Sequence, residues 1–232
     1  MMKILGIDSS VPQGSVALLE NNRIITETSS KNGSGNHSDG LLRMVDEVLS
    51  EAECPLRDVD GFSVTAGPGS FTGLRVGVSL IKGFVLALEK PFVGIDTLEA
   101  VSKCAKPTEH PICAILDARK KEVYCAFFRY EENKLMRTTP DRTMLPEELC
   151  ETVSQLTVFI GSGLEPYGEY FSSRLGSLFV ANSKAIGHSV AASAALLAKP
   201  HLENHPCFDL GELKIKYVRK SEAERNHMKQ TL

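Results

Sequence analysis

This 232-residue chain lacks the marks of several large protein classes. Its cysteines, Cys54, Cys104, Cys113, Cys125, Cys150 and Cys207, are scattered, mostly within apolar segments, and none forms a CxxC pair. They read as reduced, buried thiols of a cytoplasmic protein, not as a disulfide framework. Basic charge is not in excess, because 26 Lys and Arg stand against 29 Asp and Glu, a net charge of −3. A bulk electrostatic hold on nucleic acid is therefore not expected. No apolar run approaches a membrane span and mean hydropathy is −0.08, so the chain reads as soluble. Met1-Met2-Lys3 leads straight into the apolar Ile4-Leu5-Gly6-Ile7 with no small-residue cleavage site, so no signal peptide is read.

Nucleotide-loop signatures are missing at the very place where glycines cluster. In Gly67-Pro68-Gly69-Ser70-Phe71-Thr72-Gly73-Leu74-Arg75-Val76-Gly77, the glycine at 73 precedes Leu-Arg where a P-loop needs Lys and then Ser or Thr. The glycine spacing does not fit a dinucleotide fingerprint either. What is present is a strand-like Phe62-Ser63-Val64-Thr65-Ala66, a glycine-rich turn, and an apolar run to Leu88 long enough for a helix. Such a turn points backbone N–H groups outward at the positive end of a helix dipole. Its plainest role is a tight turn with Ser70 or Thr72 as the helix cap.

The helix that follows carries Arg75, Ser79 and Lys82 at i, i+4 and i+7, a single narrow polar stripe. Gly73 and Gly77 lie roughly opposite and would let a neighbouring backbone approach. Val76, Val78, Leu80, Ile81, Phe84, Val85, Leu86 and Leu88 cover most of the rest, so this helix needs cover on nearly every side. A second helical period runs from Ser38 or Asp39 to about Glu53, after the loop Lys31-Asn32-Gly33-Ser34-Gly35-Asn36. Its Leu41, Leu42, Met44, Val45, Val48, Leu49 and Ala52 span an arc of about 160°. Either a deep core or a partner protein would account for that width.

The chain contains a duplication. Ile4–Asp8, Ser15–Leu19 and Arg23–Thr28 read as a strand followed by two hairpins, and Ile112–Asp117, Glu122–Phe128 and the stretch after Glu131-Glu132-Asn133 repeat that order. The first copy continues as helix, strand, helix and short strand to Ile95. The second continues as a helix from about Pro146 to Gln155, a strand Thr157–Ile160, Gly161-Ser162-Gly163 and further helices. Antiparallel strands followed by alternating helices and strands make an α/β lobe. Two lobes are expected, residues 1–100 and 101–232, joined near Leu98 to Pro111.

The run Gly67 to Gly77, Ile4-Leu5-Gly6-Ile7-Asp8-Ser9-Ser10, Asn36-His37-Ser38-Asp39, Asp117-Ala118-Arg119-Lys120-Lys121-Glu122-Val123-Tyr124 and Lys216-Tyr217-Val218-Arg219 together resemble the bacterial TsaB (YeaZ) family over nearly the full length. The resemblance implies two RNase H-like lobes of the kind found in actin and sugar kinases (the ASKHA superfold), each a mixed sheet flanked by helices. It also implies a part in making threonylcarbamoyladenosine in tRNAs that read codons starting with A. In that family the chain is a non-catalytic subunit: it binds TsaD, the paralogue that transfers the threonylcarbamoyl group, through the two N-lobe helices, and the ATPase TsaE joins them. Carried onto this sequence, the interface comprises His37, Leu41, Leu42, Val45, Leu49, Arg75, Val78, Ser79 and Lys82. The chain alone is expected to pair with a second copy through the same helices, to meet tRNA only through the complex, and to touch no membrane.

Several departures from the superfold fit a non-catalytic chain. Its kinases and ATPases place Asp-x-Gly-Thr/Ser at the first hairpin of each lobe, where glycine lets amides reach phosphate. Here the hairpins read Asp8-Ser9-Ser10 and Asp117-Ala118-Arg119. Asp8, Ser10, Gly67, Gly69 and Ser70 remain candidates for an anion contact, and no cofactor is expected other than ATP or ADP at the complex boundary. TsaD-like chains carry a metal-binding His-x-x-x-His in a stretch that here is Gly94–Val101 and has no histidine; Asp96 and Glu99 read as cap and surface residues. His201-Leu202-Glu203-Asn204-His205, bracketed by Pro200 and Pro206, reads as a loop without the Glu placement of a zinc protease. Lys214, Lys216, Arg219 and Lys220 read as a basic tail. Two other classes are carried beside the scaffold reading: a small-molecule kinase or ATPase of the same superfold, and a peptidase. No activated Ser, Cys or metal constellation supports the latter.

Overall fold

The computed structural model describes residues 2–30, 38–182 and 188–218 and divides the strands between two sheets. In the first, β1 (Lys3–Asp8), β2 (Ser15–Glu20) and β3 (Arg23–Ser29) form an antiparallel meander. β4 (Gly61–Thr65) and β5 (Phe92–Ile95) continue it in parallel on the far side of β1. Parallel neighbours require crossovers, supplied by α1 (Ser38–Glu51) before β4 and α2 (Phe71–Leu88) before β5. After α3 (Thr97–Lys103) the plan repeats: β6 (Ile112–Asp117), β7 (Val123–Glu131) and β8 (Lys134–Arg137) meander, with β9 (Arg142–Met144) added against β7. Then come α4 (Pro146–Thr152), β10 (Thr157–Ile160), α5 (Leu164–Leu175), β11 (Phe179–Ala181) and α6 (Val190–Asn204). The orders β3-β2-β1-β4-β5 and β11-β10-β6-β7-β8 correspond strand for strand, as the internal repeat requires.

Strand alternation stacks the molecule in layers. Leu5 and Ile7 of β1 join Val16, Leu18, Phe62 and Val64 in a core closed by α1 and α2. Ile4 faces the other way, onto Ala194, Ala195 and Ala198 of α6. That helix reaches the sheet because Gly6 has no side chain: a Cβ there would overlap the Ala191 carbonyl. α3 lies beside α6 and covers the second sheet with Leu98 and Val101 on Ile112, Ala114 and Phe128. Leu149 of α4 and Phe171 of α5 seal its outer face against Ile115 and Phe159. Each such fully buried Leu, Ile, Val or Phe contributes about 1.5–3 kcal/mol by removal from water.

Some expectations need correction. A boundary at residue 100 cuts α3, and both α6 and the chain beyond it return to the first lobe. Cys207 bridges to Phe92, Leu213 enters the first core, and Lys216 N donates to the Ala66 carbonyl at 2.7 Å. His201 to Asn204 are helical, because α6 runs through Pro200 and its exposed end tolerates the missing N–H. By length and composition α2 is apolar enough to cross a bilayer, which the apolar runs did not suggest; here Val78, Ile81 and Val85 bury its inner side against the first core. β9 and β11 span three residues each, too short for a period-two pattern to announce them.

Candidate functional site

The first hairpin of lobe one and the glycine turn are packed into each other. Asp8, fully buried at the end of β1, accepts hydrogen bonds from Ser10 N, Ser10 Oγ and Thr65 Oγ1. Ser9 Oγ donates to the Gly73 carbonyl at 2.8 Å. Ser70 N donates to the Ser10 carbonyl at 2.8 Å, and the Ser70 hydroxyl caps α2 by accepting from Gly73 N at 3.2 Å. Glycine is required at both contacts: a Cβ at 73 would overlap the Ser9 carbonyl, and one at 69 would lie 2.5 Å from that of Ser10. Gly67, with φ +117°, passes beneath the Lys216 carbonyl. The Ser70 and Gly73 amides that a phosphate loop would present are thus spent within the chain. Burial drives the Asp8 carboxyl above the ordinary carboxylate range, against the pull of its Ser10 and Thr65 hydrogen bonds.

A cleft of about 1110 Å³ opens between the lobes. Of the five anion candidates, Ser10, Gly69 and Ser70 line it, whereas Asp8 and Gly67 do not. The opposite wall is the turn after β6. There Arg119 N donates to Asp117 Oδ1 at 2.8 Å, and Arg119, Lys120 and Lys121 hold φ of 62°, 55° and 62°. Left-handed backbone costs a residue with a Cβ about 1–2 kcal/mol. Where a phosphate loop has glycine, this turn has bulky cations.

The two helices expected at an interface present only part of the expected set at their surface. Leu41, Val45, Leu49 and Val78 are 0%, 2%, 8% and 6% exposed and belong to the core of the lone chain. They correct the sequence-based choice: apart from Leu42, the leucine and valine positions chosen on the wide arc of α1 serve the sheet and α2. Leu42, Arg75 and Ser79 are exposed and Lys82 is half-buried; His37 lies outside the described residues. Leu42 and Phe71, 43% and 44% exposed, border with Val76 and Leu80 an open crevice of about 520 Å³ that also includes Arg75 and Ser79. Phe71 is the residue that sequence reasoning missed, and the Arg75 guanidinium lies 3.8 Å above its ring.

A polar cluster that the sequence did not reveal joins the lobes. Asp96, the N-cap of α3, pairs with Arg137 Nη2 at 2.6 Å and Lys216 Nζ at 2.9 Å. Lys216 also reaches Asp141 at 2.5 Å, and Arg137 pairs with Asp141. Burial would raise the Asp96 pKa, but its hydrogen bonds to Asp141 and Lys216 and the charge of Arg137 hold it below the ordinary range. Lys216 is therefore ion-paired between the lobes with its side chain half-exposed, while Arg219 and Lys220 lie outside the described residues. The cysteines are free; burial pushes the Cys104 and Cys125 thiols up to about 12, so neither supplies a thiolate nucleophile. Among the described residues no group of three His, Cys, Asp or Glu side chains is arranged to hold a metal.

Paired mixed sheets of this order with a cleft between them define the two-lobed fold of actin and the sugar kinases. Within it, the family model described as TsaD, tRNA N6-adenosine threonylcarbamoyltransferase, matches residues 26–227. The chain is 31% identical over 172 residues to the Escherichia coli tRNA threonylcarbamoyladenosine biosynthesis protein TsaB, covering 72% of this chain and 74% of that one. It is 27% identical over 228 residues to the Bacillus subtilis TsaB, with 96% of each covered. A solved Pseudomonas aeruginosa structure, described as an uncharacterized protein with similarity to peptidase YeaZ, superimposes with TM-score 0.77 at 23% identity over 94% of this chain and 100% of that one. The chain belongs to the TsaB (YeaZ) family of tRNA threonylcarbamoyladenosine biosynthesis proteins.

Proposed function

We propose that this chain is a non-catalytic subunit in the synthesis of threonylcarbamoyladenosine in tRNAs reading codons that start with A, and that it acts in the cytoplasm by holding a TsaD-like transferase in its competent state. The observation that carries this reading is the contrast between a sealed loop and an open helix face. Ser9 and Ser10 fill the space beside the glycine turn, where a kinase of this fold would admit phosphate. Leu42, Phe71, Val76 and Leu80 meanwhile leave apolar surface on α1 and α2. Covering that surface favours whichever state of the partner fits it, since a partner biases states only through differential binding. A TsaE-like ATPase and tRNA join through the complex, and any ATP or ADP sits at its subunit boundary. Alone, the chain forms a homodimer through the same face.

The test is reconstitution. The chain with tRNA, threonine, bicarbonate, ATP and the enzyme that makes the threonylcarbamoyl adenylate should give no modified base without TsaD, and should be required once TsaD-like and TsaE-like partners are added. Modification without TsaD would overturn the reading. The superfold kinase or ATPase reading is supported by the size of the cleft, and tight Mg-ATP binding by the isolated chain in calorimetry would favour it instead.

A further inference from the structure

Residues 216 and 217 are adjacent but engage different parts of the molecule. Lys216 is held by Asp96 at 2.9 Å and Asp141 at 2.5 Å, its N–H by the Ala66 carbonyl, and its own carbonyl rests over Gly67. Tyr217, 47% exposed, lies on the face of α2: its ring centre is 5.3 Å from that of Phe71, and its hydroxyl accepts from Arg75 Nε at 3.3 Å. Phe71 and Arg75 line both the inter-lobe cleft and the helix crevice. The inter-lobe ion cluster is thus one peptide bond away from the residue that orders the end of the docking face.

We propose that the C-terminal strap is a positioning element of that face: Tyr217 fixes Phe71 and Arg75 for the partner, and Lys216, clamped between the lobes, fixes Tyr217. The inference rests on the docking role proposed above. A change in the arrangement of Asp96, Arg137 and Asp141 then reaches the partner through one lysine. Phe71 and Arg75 are exposed side chains with rotamer freedom to lose, and holding them in place before contact lowers the cost of binding.

Affinity for the purified TsaD-like subunit is measured by calorimetry for the full chain and for Tyr217→Ala, Tyr217→Phe, Lys216→Met, Lys216→Arg and the Lys216→Met/Tyr217→Ala double variant, with thermal unfolding alongside. Tyr217→Ala should weaken binding about tenfold, because Phe71 and Arg75 then lose their fixed arrangement, and Tyr217→Phe about two- to threefold. Lys216→Met should weaken it several-fold, Lys216→Arg should restore most of the loss, and the double variant should be no weaker than Tyr217→Ala alone, since residues on one path do not add. Unchanged binding in the single variants, or losses that multiply in the double, would overturn the proposal. Leu42→Glu separates the two failures. If it abolishes binding while the strap variants bind normally, only the strap inference falls; if it binds normally, the docking face itself is wrong.

Discussion

The two lobes share one plan and use it differently. Each has a glycine with the same unusual backbone just after its parallel strand, Gly67 at φ +117° and Gly161 at φ +116°, and each brings it against a carbonyl, that of Lys216 or Ile115. From there they diverge. The first lobe follows with the 18-residue, largely apolar α2, which its own sheet covers on one side only. The second follows with the 12-residue α5, whose polar residues leave Phe171 as its one buried side chain. The turn after β1 is locked by the neutral hydroxyls of Ser9 and Ser10, whereas its counterpart after β6 is cationic. Duplication fixed the scaffold, and the difference between the lobes lies in which helix can satisfy its apolar surface alone.

The largest expected effect separates the two sides of α1. Val45→Glu puts a charge into a side chain 2% exposed and should cost about 4 kcal/mol or more, unfolding the first lobe in a urea titration. Leu42→Glu, on the exposed side, should change stability by less than about 0.5 kcal/mol while abolishing self-association on a sizing column. If Val45→Glu folds normally and alone prevents association, the core described here is misassigned.

Next come the glycines that the lobes share in kind. Gly67→Ala and Gly161→Ala both drive a Cβ into a carbonyl at a left-handed backbone, so each should lose about 2–3 kcal/mol in the same titration. A large loss in only one would mean that the lobes are less equivalent than their strand order suggests.

Asp8 offers a sharper contrast, because its partner in the repeat, Asp117, pairs with Arg119 beside the cleft. A raised folded pKa means that the folded state holds a proton which the unfolded state has already released. The stabilisation is complete below the ordinary carboxylate pKa and fades as pH rises toward the raised value. Asp8→Asn keeps an oxygen for the Ser10 and Thr65 donors and should remove that decline, flattening stability against pH over this window. An unchanged slope would show that the carboxyl titrates alike in the folded and unfolded chain.

The smallest effect belongs to the cationic turn. Lys121→Gly relieves a left-handed residue that does not line the cleft, and should stabilise the second lobe by up to about 1 kcal/mol in thermal unfolding.

The repeat, and with it most of the fold, was legible because period-two runs ending in Asp8 and Asp117 are strong local signals. The helix face was only half legible. Leu41, Leu42 and Val45 look alike on a helical wheel, and only the sheet and α2 decide that Leu42 is the one left outside. The ion cluster was not legible: only Arg137 and Asp141 are near in sequence, on a stretch with no helical pattern, and Asp96 and Lys216 join them from distant parts of the chain. The docking of α6 onto the first sheet was hidden for a related reason, since an alanine-rich segment has little amphipathic contrast and its fit depends on the bare backbone at Gly6.

The return of α6 and the strap to the first sheet has a consequence for biogenesis. When a ribosome has delivered residues 1–189, the face of β1 that carries Ile4 and Gly6 is still uncovered, and Leu213 has yet to arrive. The lobe translated first is therefore the lobe finished last. A nascent chain stalled in that interval exposes apolar sheet to the chaperones around the exit tunnel, even though the second lobe beside it already has all its strands.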